Sequence, residues 1–260
     1  MAHSSYQDRL VLKGGILIYL MLGQWTRPTE DLDFLALRIP SDSLHAALAE
    51  VLAVDLDDRL EFDATGMTSV EIREDSGYPC RRFTIPYRYG PTHTHFIKLD
   101  LSFGDPVTPL PQSLVLHPIL DGFQGGSILG YPVETLLAEK IETMVVRGLA
   151  NTRSKDLFDL WVLSRTQVGL RLNTIGEALA ATAAYRGTTL VLDCVALQPA
   201  FGLDARQNQL WSAYVHAKGL AAPEFTRLIE ALQRFIRPMV LRALGDEAEA
   251  IWDPAEGLWK

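Results

Sequence analysis

The stretch KGGILIYLMLGQWTRPTEDLDF, residues 13–34, places a glycine pair before an apolar run and two aspartates, one residue apart, behind it. Leu10-Val-Leu12 reads as a short buried strand, Gly14-Gly15 as a turn, and Ile16 to Leu22 as a helix closed by Gly23. Asp31 to Leu37 then reads as a second strand. Side chains alternate along a strand, so Asp31 and Asp33 share one face while Leu32 and Phe34 enter the core on the other. Two carboxylates held together in this way usually have a cation between them. An isolated Asp-x-Asp also suits a turn cap or a surface pair with Arg27, and spacing alone leaves both readings open.

Working outward, residues 41–54 repeat apolar positions at helical spacing through Leu44, Ala47, Leu48 and Val51, with Pro40 and Ser41 as start signals. Leu60 to Asp63, Ser69 to Arg73, Arg82 to Tyr87 and Thr94 to Phe103 alternate, which predicts antiparallel strands continuing a sheet. Glycine and proline dominate Gly104 to Pro132, a long connection with one strand pair around Leu114 and Ile128 and the best candidate boundary. Helical patterns follow over Val133 to Arg147, Ser154 to Ser164, Asn173 to Tyr185, Gln207 to His216 and Pro223 to Ile236. The expected architecture is an α/β (α+β) mixed-sheet domain over residues 1–130 and a helical domain over 131–260.

The segment Ile97-Lys-Leu-Asp-Leu-Ser-Phe103 puts Lys98, Asp100 and Ser102 on one face and apolar side chains on the other. Beside the first aspartate strand it would bring Asp31, Asp33 and Asp100 to one patch, a hard-oxygen set suited to Mg²⁺ held together with substrate phosphates. An exposed face of an antiparallel sheet gives the same pattern without a ligand. A glycine turn opening a helix lets backbone N–H groups approach a phosphate, which would give Gly14-Gly15 a role. The pair is neither a P-loop nor a Gly-x-Gly-x-x-Gly fingerprint, since the further residues of each are missing.

Composition narrows the classes. With 48% hydrophobic and 22% charged residues over a length of 260, the chain reads as globular rather than disordered or fibrous. The longest apolar run is too short to span a bilayer and the amino terminus lacks a signal-peptide pattern, so a cytoplasmic protein without a membrane partner is expected. Cys80 and Cys194 have no metal or redox spacing and read as packing residues. A net charge of −8 argues against non-specific coating of nucleic acid, so any such contact must use local patches. The candidates are Arg81, Arg82 and Arg88, or Arg147, Arg153 and Lys155; either group also reads as solvated surface charge. His93-Thr-His95 offers two imidazoles on one strand face, a weak zinc signal with His117 or Cys80 as a distant third ligand and no recognisable ligand spacing.

Strand, Gly-Gly turn, helix, Asp-x-Asp strand and a third Asp on a later strand together resemble the polymerase-beta-like nucleotidyltransferase superfamily. More narrowly, Leu12-Lys-Gly-Gly15, Arg27-Pro-Thr-Glu-Asp-Leu-Asp33, Glu139-Lys-Ile-Glu142 and Arg153-Ser-Lys-Asp-Leu-Phe-Asp-Leu160 resemble the AbiEii/AbiGii (MenT-like) toxin family. The likeness runs from about Leu10 to Leu163 and continues toward Trp211 and Pro238. It implies a toxin-type nucleotidyltransferase that moves NMP from an NTP to an RNA acceptor, the tRNA 3′ end foremost, with an AbiEi-like antitoxin as partner. A protein or small-molecule acceptor, or a non-catalytic nucleotide-binding module, are the alternatives.

By the resemblance, Gly14 and Gly15 hold the triphosphate, Asp31, Asp33 and Asp100 bind Mg²⁺ or Mn²⁺, and Asp100 is also the base. Lys140 neutralises phosphate charge, and the last acidic motif is Asp156 or Asp159, with Asp156 preferred because it follows Lys155. Each has a plainer reading: Lys140 among Glu134, Glu139 and Glu142 suits an exposed helix, and Asp156 and Asp159 suit the first turn after a Ser154 cap. Two departures stand out. Few residues precede the Lys-Gly-Gly turn, which reads as a shortened form or a different start codon, and Thr29 stands where relatives often carry serine, making it a candidate nucleotide-side and regulatory residue.

Overall fold

The computed structural model describes residues 1–73, 79–91, 93–118 and 124–260, so that part of the connection after Gly104, residues 119–123, lies outside the described residues. The chain divides into two compact units, Met1–Asp105 with Pro111–Tyr131, and Pro106–Leu110 with Pro132–Lys260.

The first unit starts with β1 (Leu10–Lys13), α1 (Gly14–Leu22), β2 (Asp31–Ala36) and α2 (Leu44–Leu52). Then come β3 (Leu60–Phe62), β4 (Thr68–Arg73), β5 (Pro79–Tyr89), β6 (His95–Phe103), β7 (Gln112–Leu116) and β8 (Gly126–Gly130). Among the described residues these strands form one mixed sheet in the order β3-β5-β6-β2-β1-β8-β7, with β4 also paired to β5. β1 with β8 and β2 with β6 are parallel, and the remaining pairs are antiparallel. β7 and β8 form the strand pair read from the connection, with Leu114 opposite Ile128.

Alternation decides which sheet face is covered. Phe83 and Ile85 of β5 and Leu99 and Leu101 of β6 are buried, and the His45 ring of α2 lies 6.3 Å from that of Phe83. Arg81, on the same face of β5, donates to the Ser41 carbonyl ahead of α2. The opposite face carries Arg82, Thr84, Phe96, Lys98 and Asp100. Phe34 enters the core as the spacing predicts, whereas Leu32 is half-buried. Helix α1 begins at Gly14 itself, so the glycine pair is the helix's first turn and not a turn preceding it.

The second unit contains α3 (Val133–Arg147), α4 (Ser154–Thr166), α5 (Leu172–Arg186), α6 (Ala205–Lys218), α7 (Phe225–Ala243) and a terminal hairpin, β9 (Trp252–Asp253) with β10 (Leu258–Trp259). Thr135 Oγ ties the 106–110 segment to this unit by bonding both the N–H and the carbonyl of Thr108. Helix α7 runs past the predicted end at Ile236 and through Pro238. An internal proline costs about 3 kcal/mol. Met239 and Val240 beyond it are fully buried, and such side chains contribute about 1.5–3 kcal/mol each, so packing outweighs the break. Phe235 anchors the hairpin: its ring lies 4.6 Å from Trp252 and stacks at 6.0 Å on Trp259, whose indole donates to the Phe235 carbonyl.

Helix α4 corrects one detail of the sequence reading. Ser154 is its first helical residue and Arg153 its N-cap, so Ser154 does not cap it. The Arg153 N–H instead donates to Asn151 Oδ1 at 2.9 Å, and the Arg153 side chain pairs with Asp156 in the first turn. Among the described residues, no helix is long and apolar enough to cross a membrane.

Candidate metal and nucleotide site

The register of three strands builds the acidic patch. Lys13 at the end of β1 is opposite Asp33 on β2, and Asp33 is opposite Asp100 on β6. Asp31, Asp33 and Asp100 each present an oxygen within 4.8 Å of the others, with Asp100 buried and the two β2 aspartates half-buried. Among the described residues, this is the one cluster of His, Cys, Asp or Glu with the spacing of a metal site, and it includes neither His93 nor His95. The donor set fits a hard divalent cation: it is all carboxylate oxygen, clustered within one ion's reach, and two of its three members are only half-buried.

Arg82 on β5 supplies the counter-charge. Its Nε and one terminal nitrogen donate to the two oxygens of Asp100, both at 2.7 Å, and the same terminal nitrogen lies 3.8 Å from Asp31. This bidentate fork fixes the plane of the Asp100 carboxylate. The hydrogen bonds to Asp100, with the charges of Asp100 and Asp31, hold the guanidinium above even its ordinary high pKa against the opposing effect of burial. Sequence reading placed Arg82 only in a basic patch. The available signal was hairpin symmetry: β5 and β6 turn about Gly90 and Pro91, and Arg82 stands nine residues before Pro91 as Asp100 stands nine after it.

Gly14 lies against Asp33. Its φ is +70°, and a Cβ there would collide with the Asp33 carboxyl group. A Cβ on Gly15 would come within 2.7 Å of Thr29 Oγ, so Thr29 packs over the second glycine. The backbone at the amino end of α1 thereby stands directly beside the carboxylates. Gly14→Ala is expected to lower turnover at this site by about 100-fold or more, because displacing Asp33 by an ångström is enough for such a loss. The left-handed backbone adds about 1–2 kcal/mol of strain. Steady-state rates beside thermal melts separate the effects; turnover within threefold of wild type would contradict the close approach.

The second unit holds the other candidates. Lys140 on α3 is buried and donates to Asp156 at 2.6 Å and to Asp159 at 2.8 Å, both on α4. Arg153 adds a 2.5 Å pair to Asp156. The solvated-helix reading of Lys140 therefore fails. The sequence left Asp156 and Asp159 as alternatives, and the structure gives both to one ammonium. Burial by itself pushes the Asp156 carboxyl up, but Lys140 and Arg153 more than reverse this and hold it well below the usual carboxylate range. The remaining charges of α3 also differ from an exposed face: Glu142 is buried against Arg186 at 2.7 Å.

A protein-family model described as the nucleotidyl transferase AbiEii toxin of a type IV toxin–antitoxin system matches residues 1–235. No curated protein sequence matches the chain. Among solved structures, JHP933 from Helicobacter pylori is similar at 16% identity over 92% of this chain and 87% of its own, with a TM-score of 0.51. A candidate nucleotidyltransferase of H. pylori is similar at 18% identity over 92% of this chain and 90% of its own, with a TM-score of 0.48. At 16% identity the likeness to JHP933 is one of fold.

Proposed function

Because the chain belongs to the AbiEii family of nucleotidyl transferase toxins of type IV toxin–antitoxin systems, we propose that it transfers NMP from an NTP to the 3′ end of tRNA and so blocks translation. A nucleotidyltransferase of this class takes an NTP as substrate, and a type IV system implies a cognate antitoxin. The observation that carries the reading is the convergence of Asp31, Asp33 and Asp100 beside the glycine turn that opens α1.

In the proposed reaction Asp31, Asp33 and Asp100 hold Mg²⁺ or Mn²⁺, which when bound supplies Lewis-acid stabilisation of the transferring phosphoryl group. Gly14 and Gly15 admit the triphosphate to the amino end of α1, where backbone N–H groups and the helix dipole favour negative charge. Thr29, packed on Gly15, flanks the glycine pair on that side. The acceptor hydroxyl attacks the α-phosphorus: a new oxygen–phosphorus bond forms, the bond to the β-phosphate oxygen breaks, pyrophosphate leaves and the hydroxyl proton passes to Asp100. Arg82 keeps Asp100 aimed at that hydroxyl. Lys140, held by Asp156 and Asp159 in the second unit, is assigned the phosphate-neutralising role that the family resemblance implies.

The test is incubation of the purified chain with total tRNA and each labelled NTP in Mg²⁺ or Mn²⁺, with Asp31→Ala in parallel. Label in RNA that disappears in the variant is the expected result. Label on protein alone, or undiminished labelling by Asp31→Ala, would overturn the RNA reading.

A further inference from the structure

We infer that the open flank of the sheet beyond Asp100, centred on Phe96 and Lys98, binds the single-stranded 3′ end of the acceptor RNA. This rests on the RNA reading above and assigns the surface that serves it.

The direction follows from strand order. Displacement at phosphorus is in line, so the attacking hydroxyl and the leaving pyrophosphate lie on opposite sides of the α-phosphorus. Across the sheet the order is β5-β6-β2-β1. The glycine turn stands at the β1 side of Asp33 and marks the leaving-group side. The acceptor must then approach from the opposite flank, over β6 and β5, where Asp100 is the last carboxylate reached.

That flank has the chemistry of a single strand's path. Phe96, Lys98 and Asp100 alternate onto one face of β6, with Lys98 between Asp31 on one neighbour and Thr84 on the other. Phe96 is 63% exposed and Lys98 is exposed, while Asp100 is 7% exposed, so the face is open at its far end and closes at the carboxylates. At about 3.3 Å per residue, Lys98 lies roughly 7 Å and Phe96 roughly 13 Å from Asp100 along the strand. An exposed aromatic ring offers a stacking surface that tolerates any base, and an ammonium between it and the reacting end suits a backbone phosphate. In a chain of net charge −8, contact with an RNA end must come from such a local cation.

The test uses Phe96→Ala, Phe96→Trp and Lys98→Ala in the full chain. Binding is read by fluorescence anisotropy with a short labelled single-stranded RNA bearing a free 3′ hydroxyl, and transfer by KM for tRNA and for NTP. Phe96→Ala is expected to weaken RNA affinity and raise KM for tRNA about tenfold, with KM for NTP unchanged and Phe96→Trp restoring both. Lys98→Ala is expected to reduce the slope of log affinity against log salt by about 0.7, the share of one single-strand phosphate. If wild type labels tRNA while all three variants bind and transfer as it does, the RNA reading stands and this surface is wrong. If wild type neither binds the RNA nor labels tRNA, the reading and the surface fall together.

Discussion

Asp33→Asn is expected to abolish nucleotide transfer, by at least about a thousandfold in kcat/KM, while leaving the chain as stable as wild type or more so in metal-free buffer. Asp33 sits at the centre of the patch: it abuts Gly14 on one side and faces Asp100 across β6 on the other. The substitution keeps the shape and removes one charge from a group of three whose oxygens lie within 4.8 Å of one another. Coulomb repulsion at that distance is about 1–3 kcal/mol per pair between the limits of bulk water and a protein surface. Partial exposure of Asp31 puts the relief toward the lower figure, and Arg82 already offsets part of it. Losing a cation ligand acts the other way on catalysis, since several kcal/mol of charge stabilisation in the transition state goes with it. A divalent cation at a hundred times its Kd should stabilise wild type by about 2.7 kcal/mol, and the variant by much less. Melting curves with and without Mg²⁺, set beside transfer rates, read all of this. Activity within tenfold of wild type, or an equal Mg²⁺ shift in both proteins, would remove Asp33 from the cation site.

The sequence carried the parts of this patch but not their assembly. Alternation is local, so it placed Asp31 with Asp33 on one face of β2, and Lys98 with Asp100 on one face of β6. Which strand lies beside β2 is decided by non-local pairing, and only the parallel register of Asp33 with Asp100 joins the three. Arg82 was hidden for the same reason: grouped with Arg81 and Arg88 it reads as a basic patch or surface charge until the hairpin register sets it opposite Asp100. Helix α7 passed its predicted end because the burial of Met239 and Val240 is a tertiary gain that local proline preference does not contain. In α3 and α4 the helices themselves were legible from period, whereas the burial of Lys140 between Asp156 and Asp159 depends on how the two helices pack.

Lys140→Met is expected to lower the unfolding free energy at neutral pH by about 3–5 kcal/mol, the usual effect of stripping the partner from a buried ion pair. Asp156 and Asp159 share this ammonium, and Asp159 is fully buried. The pH dependence should weaken. In wild type the folded Asp156 titrates well below its unfolded value of about 3.9. Its contribution is therefore fully present above that value and is lost as pH falls through the folded one. Without Lys140 only Arg153 opposes burial at Asp156, so its carboxyl moves up and the variant has less stability to lose on acidification than wild type. Urea denaturation between pH 7 and pH 3 should show the gap between the two proteins narrowing as pH falls through the unfolded carboxylate value. A variant as stable as wild type, or a gap that widens on acidification, would contradict the buried-pair account. The same variant separates a structural lysine from one that also serves the triphosphate: well below its melting temperature, a purely structural Lys140 leaves transfer proportional to the folded fraction. A phosphate role lowers transfer beyond that fraction and raises KM for the NTP.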